Sequence, residues 1–195
     1  MSYKLDSPSA QRNKEAIWSV LETKVFAENK NELRVLEIAA GVGVHSHYFC
    51  QQLQAKQNFE TIQWFPTDPR EESRRSIEAY RTDVSEILQA PLALTLNEHG
   101  VVEDLQELEK KTFDLIVCIN MIHISPWEAT VGLMKAAQRL LKPGSGILYC
   151  YGPYKEGGTA VESNLYVSCA RSKCTCTNAR NQSHILLSRF CLQQI

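Results

Sequence analysis

Runs of consecutive apolar residues along this chain alternate with stretches in which apolar residues recur every three or four positions. Residues 33–38 read as a strand. It runs into Ala39-Ala40-Gly41-Val42-Gly43, after which Val44, Tyr48, Phe49 and Leu53 share one side of a helix. Residues 61–65, rich in β-branched and aromatic side chains, read as a second strand. Asp68, Pro69 and Glu71 then fit N-cap, N1 and N3 of a helix running to about Arg81. A weaker strand is expected at 92–96 and an acidic surface helix at 101–110. The run 113–119 is almost continuously apolar, as in a strand covered on both faces. Ser125-Pro126-Trp127-Glu128 reads as a capping box for a helix that ends at Lys142-Pro143-Gly144. A fifth strand is expected at 147–151, closed by Gly152-Pro153. Ahead of all this, Ile17, Leu21 and Val25 form the packing stripe of an N-terminal helix at 10–27.

Strand and helix in repeated alternation imply an α/β fold, a doubly wound parallel sheet with helices on both faces. In such sheets ligands bind beyond the carboxyl ends of the strands. That rule selects residues 39–43, 66–69, Asn120 to His123 and 152–154 before any chemistry is considered.

Composition narrows the partners. Lys and Arg number 21 against 22 Asp and Glu, giving net −1, so no broad positive field favours nucleic acid or an anionic membrane. No apolar run approaches the roughly 20 residues that span a bilayer, and the polar start has no secretory signal. Cys50, Cys118 and Cys150 lie in apolar text and read as reduced, buried thiols, pointing to a cytoplasmic or nuclear protein.

The glycine turn decides between cofactors. A dinucleotide brings a pyrophosphate, and its fingerprint requires a third glycine where this chain has Ser46. Glu37 would also set a carboxylate near those phosphates. S-adenosylmethionine carries no phosphate but has an ammonium and a sulfonium, which a carboxylate beside the turn attracts. Asp68, at the end of the second strand, suits the ribose hydroxyls. The order of acid and glycines therefore favours S-adenosylmethionine over NAD. A Gly43→Asp change is expected to remove binding by filling the space of the adenosine. Two plainer readings stand beside these: Glu37 as a paired carboxylate at a strand end, and Asp68 as a helix cap.

Residues 35–43, VLEIAAGVG, resemble motif I of class I methyltransferases. More of the chain resembles the methyltransferase-like protein 26 family. The matching text is Arg12-Asn13-Lys14, the glycine turn followed by His45, Trp64-x-Pro66-x-Asp68, Cys118-Ile119-Asn120-Met121-x-His123-x-Ser125-Pro126, Leu140-Leu141-Lys142-Pro143 and Tyr151-Gly152-Pro153-Tyr154. The resemblance implies a Rossmann-like class I methyltransferase sheet, S-adenosylmethionine as cofactor, and contacts to it from Glu37, Ala39, Gly41, Gly43, Asp68 and Asn120. Where the family has an Asp at the end of strand three this chain has Thr95, a weaker acceptor.

Asn120 and His123 follow the fourth strand, where donor and acceptor meet in related folds. His123 reads either as a general base or as a packed histidine. The text there is not the N-P-P-Y or D-P-P-Y that orients a base amino group. The expected acceptor is therefore a small molecule or a protein side chain.

The family text ends near residue 165. One methyltransferase-like domain is therefore expected over 1–165 and a basic, cysteine-bearing, disordered tail over 166–195, read as an alternative or frame-altered ending. The sheet would then be incomplete after strand five, leaving that strand as an exposed edge. Cys169, Cys174, Cys176 and His184 lack a paired C-x2-C spacing, so no metal site is expected.

Overall fold

The computed structural model describes residues 3–27, 30–56, 58–101, 108, 112–156, 159–170 and 173–178. They fall into two compact units, 1–95 and 96–195.

In the first unit, Ser7 caps helix α1 (Pro8–Lys24), with Pro8 in its first turn where a missing N–H costs nothing. This helix starts two residues before the expected 10–27 and ends three short of it, burying Ile17, Trp18 and Leu21. Strand β1 (Lys30–Ile38) pairs in parallel with β2 (Phe59–Pro66), setting Val35 beside Trp64 and Glu37 beside Pro66. Helix α2 (Val44–Lys56) connects them. Phe49 is fully buried against the rings of Trp18, Tyr48 and Trp64, which holds α1 and α2 to the sheet through aromatic contacts.

Helix α3 (Glu71–Tyr80) starts later than expected. Its N-cap is Arg70, with no side-chain cap, because Asp68 instead accepts the Arg70 amide from two residues back (3.0 Å). A 3-10 turn (Arg81–Asp83) follows. The strand expected at 92–96 does not form. Beyond β2 there are single bridges only, Trp64 to Leu88 and Thr67 to Leu92. Pro91, which has no donor, interrupts the ladder between them.

In the second unit, β3 (Leu96–Asn97) and β4 (Gly100–Val101) make a short hairpin. The acidic helix expected at 101–110 lies outside the described residues apart from Val101 and Leu108. Strand β5 (Leu115–Ile119) is buried along its whole length and runs parallel to β6 (Ile147–Glu156). Helix α4 (Trp127–Leu140) joins them and buries Leu133, Ala136, Ala137 and Leu140. No capping box opens α4: Ser125 turns its hydroxyl back to the Met121 carbonyl (2.8 Å), and Pro126 is the N-cap.

Strand β6 does not close at Gly152-Pro153. It continues to Glu156 because β7 (Thr159–Ala170) pairs with it antiparallel over its length. Strand β8 (Lys173–Asn178) pairs with β7 in turn. The expectation that strand five is an exposed edge is therefore corrected, although no helix comes between β6 and β7. Residues 179–195, with His184, lie outside the described residues. Cys50, Cys118 and Cys150 are buried and not joined in disulfides, as expected.

Candidate functional site

The chain reverses between β1 and α2 through an elbow of three left-handed residues. Ala39 has φ 56°, Gly41 59° and Gly43 95°. The first is costly for a residue with a side chain and was not legible in the sequence. Backbone bonds to the end of β2 lock the elbow: Thr67 N–H donates to Glu37 O (2.8 Å) and Ala40 N–H to Thr67 O (2.8 Å). The two glycines differ. A Cβ on Gly41 would meet nothing within 4 Å, whereas one on Gly43 would sit 3.0 Å from Ile77 Cγ1 and 3.4 Å from Tyr80 Cδ2. Gly43 is thus bare so that α3 can approach. The expected effect of Gly43→Asp has another cause, because its Cβ runs into protein; the open face belongs to Gly41.

Glu37 lies beneath the elbow with 2% of its surface exposed. Ser46 Oγ donates to its Oε2 (2.6 Å), and so does Trp64 Nε1 (2.7 Å). Both donors fall on one oxygen; among the described residues, Oε1 receives none. Burial raises the Glu37 pKa from its ordinary 4.5 to about 7, with the Ser46 and Trp64 hydrogen bonds pulling it down and the nearby Asp68 charge adding to the rise. Ser46, which breaks the dinucleotide fingerprint, is the residue that holds the acid. The indole donor was missed in the sequence. Strand periodicity carried a signal for it: Trp64 pairs with Val35, two residues before Glu37, and so shares the acid's face of the sheet.

Asp68 is buried and faces the elbow. Its Oδ2 accepts the Gly41 amide (2.9 Å) and its Oδ1 accepts the Arg70 amide (3.0 Å). The carboxylate therefore braces the glycine turn and the approach to α3 at once. Glu37, Ala39, Gly41, Gly43 and Asp68 are thereby gathered at the carboxyl end of β1 and β2.

At the start of α2, His45 is buried and stacked on Phe49 (5.6 Å between centroids), and its neutral ring donates from Nε2 to Asn13 Oδ1 of α1 (2.8 Å). Burial lowers its pKa from 6.5 to about 4, and Lys14 adds to the shift. The link from Asn13 to His45 joins two stretches singled out in the sequence.

In the second unit, the loop after β5 opens on Asn120, also left-handed at φ 60°, whose amide donates to Tyr151 O in the middle of β6 (2.8 Å). The Met121 carbonyl then accepts the Ile124 and Ser125 amides (3.0 and 3.1 Å), which fixes the turn. His123 is exposed on it, with Ile124 and Trp127 beside it in sequence and also exposed. Thr95 is exposed at the end of the first unit. Among the described residues no cluster of His, Cys, Asp and Glu could hold a metal ion, and no helix is long and apolar enough to cross a membrane.

Solved structures share this architecture. The CurJ carbon methyltransferase superposes with a TM-score of 0.54 at 24% identity, covering 80% of this chain and 38% of that one. The S-adenosylmethionine-dependent methyltransferase SibL, in its apo form, gives 0.56 at 14% identity, covering 76% and 38%. The DszA carbon methyltransferase gives 0.52 at 18%, covering 77% and 38%. The fold is the Rossmann-like α/β fold of class I methyltransferases, and the chain spans 38% of the length of each of these three. The chain belongs to the family described as protein of unknown function (DUF938), whose profile matches residues 4–171.

Proposed function

We propose that this protein binds S-adenosylmethionine at the elbow of residues 37–43 and transfers its methyl group to a small molecule or a protein side chain rather than to nucleic acid. The observation that carries this reading is a buried carboxyl, Glu37, with one oxygen fixed by Ser46 and Trp64 and the other receiving no hydrogen bond among the described residues, under a turn whose Gly41 has open space where a side chain would stand. That combination suits a cationic nucleoside without a phosphate. The bound cofactor would supply an electrophilic methyl on sulfur, and the chain's part is to align the partners and exclude water. Glu37 would face the positive end, Ala39 and Gly41 would let the ligand approach the backbone, and Gly43 would hold the turn on α3. Asp68 would keep the Gly41 amide in place and offer its remaining lone pairs to the ribose. Asn120 would stand near the methyl, with His123 as the candidate base on the same loop.

Membership of the methyltransferase-like protein 26 family, a cytoplasmic or nuclear location, and a single functional domain over 1–165 belong to the same proposal. Isothermal titration with S-adenosylmethionine and S-adenosylhomocysteine tests the binding, and methyl transfer from radiolabelled donor into a cell extract tests turnover. Micromolar binding with transferred label is expected; no heat with either ligand sinks the proposal. A second reading, a methyltransferase-like protein that binds cofactor or partner without turnover, is supported by Thr95, which stands where the resembled family has an acid. Tight binding without label transfer would favour it.

A further inference from the structure

The sequence motifs leave residues 3–7 unassigned, yet this segment is built into the elbow. Leu5 N–H donates to Ser76 Oγ (2.9 Å), and Ser76 Oγ donates its own proton to the carbonyl of Val42 (2.8 Å), the residue between the two glycines. Tyr80 Oη closes the arrangement by donating to the Leu5 carbonyl (3.0 Å). Lys4 Nζ lies 5.0 Å from the centre of the Tyr80 ring, and the Arg75 guanidinium 4.6 Å from that of Tyr3. Ser76 is fully buried, so water does not replace either partner.

We propose that Ser76 is a positioning residue that couples the N-terminal strap, residues 3–7, to the glycine elbow, so that the strap sets the shape of the cofactor site without touching the cofactor. One hydroxyl, with one proton and two lone pairs, is enough for both bonds. The peptides flanking Val42 lie next to glycines and are the least restrained in the elbow by side chains. The Ser76 hydroxyl fixes the carbonyl between them from outside. Asn13 fixes His45 two residues past Gly43, so the N-terminal segment grips the turn at two points.

The consequence for affinity depends on the function proposed above; the coupling itself does not. Hydrogen exchange on the full chain therefore comes first, comparing wild type, Ser76→Ala, Tyr80→Phe and Leu5→Pro, the last deleting the amide that reaches Ser76 together with the leucine side chain. Exchange at the Gly41 and Gly43 amides, both hydrogen-bonded in the elbow, is expected to rise at least tenfold in Ser76→Ala and less in the other two, with the β1 and β2 amides unchanged. The S-adenosylmethionine Kd is expected to weaken about tenfold, through faster dissociation. A merely structural serine would raise exchange evenly across β1, α2 and β2, and that result, or elbow exchange within twofold of wild type, overturns the proposal. If Ser76→Ala does not fold, Leu5→Pro and Tyr80→Phe decide by the same readout. If wild type binds no cofactor, the functional proposal fails while the exchange data still judge the coupling.

Discussion

Replacing Glu37 by Gln removes a buried charge while keeping an oxygen for Ser46 and Trp64. The folded-state pKa of Glu37 is about 7 against an ordinary 4.5. Between these values the native protein binds a proton that the unfolded chain has released. The stability from this group is therefore fully present below about pH 4.5, declines as pH rises, and is lost above about pH 7. At 1.36 kcal/mol per pKa unit, the buried carboxylate costs about 3 kcal/mol at pH 8 relative to acid conditions. Glutamine has no such titration. The Glu37→Gln variant should gain about 3 kcal/mol on wild type between pH 4.5 and pH 8, while its affinity for S-adenosylmethionine falls about tenfold or more. Urea unfolding of both proteins across this range isolates the effect, because the other titrating groups largely cancel in the difference. A stability difference that stays flat with pH would refute the reasoning, since it would mean that Glu37 titrates alike in the folded and unfolded chains.

The two glycines should separate in the same kind of experiment. Gly41→Ala, in open space but at φ 59°, should cost about 1 kcal/mol, whereas Gly43→Ala, forced against Ile77, should cost about 2 kcal/mol or more by thermal unfolding. The order would be reversed if the space above Gly41 were in fact the packed one. Trp64→Phe deletes one of two donors to a buried carboxylate and should destabilise by about 1–3 kcal/mol at pH 8, with a smaller cost at pH 5; equal costs at both would rule out the indole bond. His45, neutral and buried, has a folded pKa of about 4, below its ordinary 6.5, so its contribution is complete above pH 6.5 and is lost as pH falls toward 4. Its NMR titration should show a midpoint near 4; a midpoint near 6.5 would place the ring in water.

Much of the fold could be read from periodicity because the buried strands at 33–38 and 113–119 are short apolar runs bounded by turn residues. The errors lie where side chains compete for the backbone. Asp68 was expected to cap a helix beginning at Pro69, but its second oxygen binds Gly41, 27 residues away, a contact that no local pattern encodes. Ser125 was expected as a cap and instead turned to Met121. Gly152-Pro153 read as a stop because the continuation of β6 depends on pairing with a strand that begins only at Thr159. At the candidate site, the acids and glycines were legible by type and spacing. Of their partners, Trp64 was signalled only by strand periodicity, and Ser46 and Ser76 were not legible in that role, since each reaches the elbow from a helix.

Asp68 ties the glycine turn to the residue that opens α3, which makes the proposed site preorganised. Little ordering entropy then remains to be lost on association, so binding should be fast, and chemical shifts in the elbow should change through contact with the ligand rather than through rearrangement of the chain.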